Sequence, residues 1–355
     1  MRDIILEHWS RYPGMQPEDG VKLLYQSEFG GGHMIPDPCK SLERLVQEQE
    51  SLGERAAGAD GRLVEEIGSG MCRMYLGVLE EGLAPETLNR MFVRTAKQKV
   101  GEQASFEEKL ALLHHLCQEG EISLDVPAFE LYLEDYRRRG CPAVSHSEAY
   151  RNRYHPAYRV VSDWYGRYYE VFRQIDLVLG NADKDQVVVA VDGMCGSGKS
   201  TLGGILQEIY DCNLFHMDDF FLRPGQRTKT RLEEPGGNVD YERFQEEILA
   251  HLEAPQDFCY QAYDCSRQKL GERVQVVRRR LNIVEGAYSQ HPYFGDVYDL
   301  RFFCGIPKEE QMRRIRRRNG EEMLKRFCAE WIPMENRYFK AFGIREKSVY
   351  VDGIL

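Results

Sequence analysis

The residues best suited to chemistry in this chain stand together in "GMCGSGKST", positions 193 to 201. Gly193, Gly198, Lys199 and Ser200 fit the pattern G-x-x-x-x-G-K-[ST]. Upstream, "QVVVAV" (186–191) is a short apolar run rich in β-branched residues, and downstream "TLGGILQEIY" carries apolar residues at helical spacing. Strand, glycine-rich turn and helix, in that order, are the frame in which this pattern cradles phosphate. Glycines let the backbone turn so that successive N–H groups point into one concavity, and the helix adds the positive end of its dipole. Gly193, Gly196, Ser197, Gly198, Lys199, Ser200 and Thr201 are therefore the expected nucleotide-binding residues. Lys199 is expected at the β- and γ-phosphates and Ser200 on Mg²⁺, which makes ATP and Mg²⁺ the expected cofactors.

Two acidic stretches answer the question of where the phosphate goes. "HMDDFF" (216–221) follows the second apolar run of this half. An acid at the carboxyl end of a strand beside such a loop faces the ligand crevice. Asp218 or Asp219 is then placed to take a proton from an attacking hydroxyl, or else to cap a loop. "LNIVEG" (281–286) reads as a buried strand with Glu285 at its end, the expected place for the acid that holds Mg²⁺ or its waters.

The elements that must position these groups are legible from periodicity. Apolar runs recur at 187–191, 213–216, 281–284, 300–306 and 348–351, with helical segments between several of them. That alternation predicts a parallel sheet wrapped by helices, and right-handed crossovers make it a three-layer α/β domain. Residues 1–155 read instead as a mostly helical domain, with helices expected over 85–98, 105–118 and 126–139 and a hairpin around Gly68-Ser69-Gly70. Ser105 and Glu108 have the spacing of a capping box. Residues 156–355 form the second domain, entered through a linker helix over 157–178 and the loop "GNADKDQ", so that 156–185 is linker.

At 355 residues, two domains are the natural expectation. A net charge of −10 argues against nucleic acid as a partner. No apolar run is long enough to span a membrane, and "MRDIILEHW" does not read as a signal peptide. The ten cysteines include no C-x-x-C pair and fit a reducing cytoplasm. Two stretches of the first half stand out. "SEFGGGHMI" (27–35) needs unusual backbone at its glycines, and His33 there reads as a capping or buried histidine before a ligand contact. "HSEAYRNRYHPAYR" (146–159) gathers Tyr150, Arg151, Arg153, Tyr154, His155, Tyr158 and Arg159, a mixture suited to a domain interface or, second, to an anionic ligand.

"GMCGSGKST", "MDDFF", "NVDYERF" (238–244), "YDCSRQ" (263–268) and "IVEGAY" (283–288), in this order, resemble the uridine kinase and nicotinamide riboside kinase group of P-loop small-molecule kinases. Pantothenate kinase and phosphoribulokinase resemble it more distantly. The resemblance covers roughly residues 185 to 355. It implies Asp218 as the base, Glu285 as the acid that assists the metal, and Asp240 with Tyr241 on ribose hydroxyls. Tyr263 and Gln268 fall at the acceptor. An arginine-rich lid helix is implied over the phosphates, which "QMRRIRRRNG" (311–320) matches, with Arg314 and Arg318 on the nucleotide. Gln268 stands where uridine kinases place a histidine, Asn319 where an acid is common, and the basic loop 223–238 is long; Arg227, Lys229 and Arg231 there suit an anionic acceptor or an exposed loop. The expected activity is ATP- and Mg²⁺-dependent phosphorylation of a hydroxyl on a small metabolite, foremost a nucleoside or ribosyl compound. A pantothenate-like or sugar acceptor, or a nucleotide-gated switch with the helical domain as output, are the alternatives.

Overall fold

The computed structural model describes all residues except 33–34, 36, 53–56, 182–183, 253, 255 and 354–355. The chain divides into two units, Met1–Asp176 and Leu177–Leu355.

In the second unit, β4 (Val187–Gly193), β5 (Cys212–His216), β8 (Leu281–Glu285), β9 (Leu300–Gly305) and β10 (Val349–Asp352) form a five-stranded sheet in the order β10-β9-β4-β8-β5. Every pairing in it is parallel. These are the apolar runs of the sequence; the central β4 and β8 are buried throughout because helices cover both faces, and the edge strands β5 and β10 only in part. The helix Lys199–Ile209 lies on one face, with Gly203 close against Leu214 and Glu285. On the other, Phe215, Val284 and Phe303 join a core with Phe244, Ile248 and Phe339. The result is a three-layer α/β domain. An antiparallel ribbon of β6 (Phe258–Asp264) and β7 (Lys269–Val276) stands apart from this sheet. That ribbon went unrecognised in the sequence because seven of the eight residues of β7 are exposed or half-buried, so no apolar alternation marks it.

The first unit is mostly helical, with a three-stranded antiparallel sheet of β1 (Val64–Gly68), β2 (Met71–Tyr75) and β3 (Tyr158–Ser162). The β1–β2 hairpin turns at Gly68-Ser69-Gly70 as expected. The expected boundary at 155/156 is corrected: β3 pairs along the full length of β2, so this unit extends to Asp176. The expected linker helix over 157–178 is instead β3 followed by the helices Asp163–Arg167 and Tyr169–Gly180. Ser105 does not cap its helix, which begins at Gln103; its hydroxyl donates to Glu28. Of "SEFGGGHMI", Gly31 passes so close to Phe92 that a Cβ would lie 2.7 Å from the ring, while His33 lies outside the described residues. The 146–159 segment forms the helix Glu148–Tyr154 and enters β3 within this unit. Tyr150 is buried there, against Tyr12 and Tyr154.

Candidate active site

The phosphate loop grows out of the carboxyl end of β4. Gly193 has a φ of +139°, and a Cβ at this position would stand 2.2 Å from the carbonyl oxygen of Cys304 on β9, so only glycine allows the crossing. Gly198 adopts the left-handed conformation just before the helix Lys199–Ile209, whose first bond runs from Leu202 N to Gly198 O at 2.9 Å. The amides ahead of it have no intrahelical partner and form the helix's positive end. Lys199 Nζ donates to the carbonyls of Gly193 (2.8 Å) and Met194 (2.9 Å), folded back onto the loop. Ser197 is buried, and its hydroxyl has no hydrogen-bond partner among the described residues. Ser200 and Thr201 are exposed in the first helical turn.

The parallel register places Val191, Glu285 and His216 in one row across β4, β8 and β5. Glu285 is thereby brought to Ser200, whose hydroxyl donates to its carboxylate at 3.2 Å. His216 Nδ1 donates to the other Glu285 oxygen at 2.5 Å, and this bond raises the imidazole's pKa. A serine hydroxyl touching a carboxylate is a pair of hard oxygen donors that suits Mg²⁺. With the orphaned Ser197 hydroxyl in the same loop, the residues present fit a magnesium nucleotide.

Asp218 and Asp219 do not lie on a strand. β5 ends at His216, and Met217–Phe220 form a 3₁₀ turn. The two acids nevertheless diverge in role. Asp219 accepts the Tyr260 hydroxyl at 3.0 Å, and its carbonyl accepts from Arg243, tying the turn to β6 and the helix Tyr241–Phe244. Asp218 opens to solvent and makes no hydrogen bond to any described residue. The protein atoms around its carboxyl strip water from one side, and with the nearby Glu285 charge this raises its pKa, against the opposing pull of Lys199.

The arginine helix spans Lys308–Arg326 and breaks at Gly320. It docks on the phosphate loop through Gln311, whose amide donates to Cys195 O at 2.9 Å, and through Ile315 beside Gly196. Arg314 follows on the same side and reaches Gly196 O at 3.4 Å while paired with Glu310. Arg318, one turn on, is exposed and near enough to Cys195 to influence its thiol. Arg313 and Arg316 pair with Glu310 and Glu321 along the helix itself.

The residues expected at the acceptor are distributed differently. Asp240 is buried and engaged at both oxygens. One caps the helix Tyr241–Phe244 through Arg243 N, and the other accepts Gln226 Nε2 at 2.8 Å. Tyr241 is sandwiched between the Arg231 guanidinium (3.7 Å) and the His291 ring (4.3 Å). Arg231 itself is held by Glu242, and Lys229 is exposed. Tyr263 is buried and accepts from Arg227 at 3.3 Å. Gln268 sits exposed in the β6–β7 turn with φ +52°.

Three groups escaped the sequence reading. Asp192 is fully buried beneath the loop and accepts from Gly193 N, Gln290 N and the Tyr338 hydroxyl. Burial pushes its carboxyl up to about 6. Its signal was its place directly before Gly193 in "VDG". Glu335 accepts from Cys195 N at 2.9 Å, and burial raises its pKa. Nothing in the sequence connects residues so far apart. His216, at the head of "HMDDFF", is the third.

No protein-family model matches the chain, and no curated protein sequence matches it. Among solved structures it is similar to one described as a "Possible Uridine Kinase from Bacillus stearothermophilus", at 20% identity and a TM-score of 0.39, over 52% of this chain and 100% of that one. It is also similar to D-glycerate 3-kinase from Cryptococcus neoformans var. grubii, at 16% identity and a TM-score of 0.38, over 52% of this chain and 93% of that one.

Proposed function

We propose that the chain is an ATP- and Mg²⁺-dependent phosphotransferase that phosphorylates a hydroxyl of a small metabolite in the cytoplasm. The observation that carries this reading is the division of labour between two adjacent acids. Asp219 is spent on structure, whereas Asp218 is unengaged, raised in pKa and close to both Glu285 and Lys199. A kinase needs a base opposite the γ-phosphate to take the acceptor's proton, and Asp218 is free to be that base.

When bound, the nucleotide supplies the phosphoryl group and Mg²⁺ screens its charge. The chain's own residues do the rest. The loop amides and Lys199 hold the phosphates, and Lys199 must leave the carbonyls of Gly193 and Met194 to do so. Ser200 and Glu285 are the residues to hold the metal. Arg314 and Arg318 flank the loop from the lid helix. Asp218 takes the proton of the acceptor hydroxyl.

The finer reading, a nucleoside or ribosyl acceptor, rests on the sequence resemblance. A ribose held by Asp240 must displace the Gln226 amide, and Tyr241 beside it is stacked against Arg231. The test is ADP release from Mg-ATP with uridine, nicotinamide riboside, pantothenate or glycerate added one at a time. Turnover that depends on one of them supports the kinase. Turnover of ATP alone, unchanged by any acceptor, supports the switch.

A further inference from the structure

The peptide between Met194 and Cys195 is held from both sides within the phosphate loop. Its carbonyl, on Met194, accepts the Lys199 ammonium at 2.9 Å. Its N–H, on Cys195, donates to the Glu335 carboxylate at 2.9 Å. A planar trans peptide points these two groups in opposite directions, so whatever fixes the N–H also fixes where the carbonyl aims. The preceding peptide is built the same way. The Gly193 carbonyl accepts Lys199 at 2.8 Å, and the Met194 N–H donates to Cys304 O at 3.0 Å. The two anchors differ in kind. Cys304 is backbone of the neighbouring strand β9, whereas Glu335 is a side chain that reaches in from the helix Ile332–Phe342, 140 residues along the chain.

A carboxylate in that position is costly to bury. Glu335 is only 7% exposed; burial raises its pKa and the Lys199 charge opposes the rise. The hydrogen bond it accepts comes from the phosphate loop. Three residues on, and so on the same side of the helix, Tyr338 donates to Asp192 at 2.8 Å, and Asp192 accepts the Gly193 amide at 2.7 Å. One helix therefore meets the loop at two points, on either side of the carbonyls that hold Lys199.

The far side of Cys195 belongs to the lid. Gln311, 1% exposed, donates to Cys195 O at 2.9 Å, and the Cys195 side chain packs with Ile315 and Leu324. The lid helix Lys308–Arg326 runs on through Phe327–Trp331 into Ile332–Phe342. Cys195 is thus gripped by the lid at its carbonyl and by the helix after the lid at its amide.

We propose that Glu335 is a positioning residue for phosphoryl transfer: by holding the Cys195 amide it aims the Met194 carbonyl at Lys199, and so presets the loop and its lysine for the nucleotide's phosphates. The proposal rests on the reading of this loop as a nucleotide site. Without the Glu335 bond the peptide is anchored on one side only, and ordering it has to be paid when the nucleotide binds.

The experiment uses the full chain labelled with ¹⁵N at cysteine, in which the Cys195 amide signal is the one lost in Cys195→Ser. Without nucleotide, that amide proton should lie at low field and exchange slowly with solvent. In Glu335→Gln it should move upfield, because the acceptor becomes neutral, yet stay slow. In Glu335→Ala it should lose its protection. Calorimetry with Mg²⁺ and a non-hydrolysable ATP analogue gives the second readout. Glu335→Gln, which keeps an acceptor oxygen, should bind within about threefold of the parent, and Glu335→Ala about tenfold more weakly, a loss of about 1.4 kcal/mol. A parent that does not bind the analogue refutes the nucleotide reading, while the amide signal of the unliganded protein still decides whether Glu335 holds the peptide. Should Glu335→Ala not fold, the shift of the Cys195 amide in Glu335→Gln decides. The proposal is overturned if that signal is the same in the parent and Glu335→Gln, if Glu335→Ala binds the analogue like the parent, or if both variants weaken binding equally.

Discussion

Replacing Asp218 and Asp219 one at a time by asparagine separates chemistry from architecture at neighbouring positions. On the proposed reading, Asp218→Asn removes the base that takes the acceptor's proton, and it leaves every described hydrogen bond intact. General-base assistance contributes about 10²–10⁴-fold, so kcat should fall by that order while ATP affinity stays nearly constant. Asp219→Asn keeps a carbonyl that can still accept the Tyr260 hydroxyl, now 3.0 Å from a charged partner, but makes that bond a neutral one. The cost should be about 1 kcal/mol of stability, with kcat within a few-fold of the parent. The assay is steady-state ADP release with the identified acceptor, beside urea unfolding of each variant. The parent's kcat/KM should also fall on the acid side with an apparent pKa above the ordinary aspartate value of 3.8, because one-sided desolvation and the Glu285 charge hold the Asp218 proton on. Asp219→Asn as the inactive variant, with Asp218→Asn nearly normal, would refute the assignment.

Lys199→Ala should abolish turnover with far-ultraviolet circular dichroism unchanged, since among the described residues its ammonium donates only to carbonyls of its own loop. Gly193→Ala should destabilise the second unit and weaken binding of a non-hydrolysable ATP analogue, measured by calorimetry, because the added methyl meets Cys304 O at 2.2 Å. Glu285→Gln should raise the Mg²⁺ concentration needed for half-maximal rate, read from a metal titration, more than it raises the KM for ATP. Glu65→Gln should cost the first unit about 3–5 kcal/mol in urea unfolding, because it leaves the buried Arg73 without its carboxylate, whereas Arg11 keeps Glu7 and Asp60. Burial alone would raise the Glu65 pKa, but His8, Arg73 and Arg11 hold it well below 4.5, so its stabilisation is complete above that pH and lost as pH falls through the folded value.

What sequence could and could not show follows from the range of the interactions. The phosphate loop, Glu285 and the five strands were legible because local spacing encodes them: a run of four or five apolar residues buries in only one way between helices. The roles of Asp218 and Asp219 were not local. Expecting them on a strand, one would assign them by alternating faces, but the chain leaves β5 at His216 and turns. What distinguishes them is the Tyr260 hydroxyl, supplied by a ribbon strand 41 residues on, whose exposed partner strand carries no apolar signal. Asp240 shows the same limit from the other side. Its place in "NVDYERF" reads as a ligand contact, yet Gln226 from the long basic loop closes on it. The first unit makes the point most strongly. Glu65 gathers Arg11, Tyr12, Arg73 and Tyr75, and Asp19 gathers His146 and Ser147 across more than 120 residues of chain. Each of these residues alone reads as an ordinary surface or capping group, and "RYHPAYR" reads as the end of a domain. Only the pairing of β3 with β2 carries Tyr158 and Arg73 to one place, so the chemistry of that cluster exists in the tertiary fold and nowhere in the local sequence.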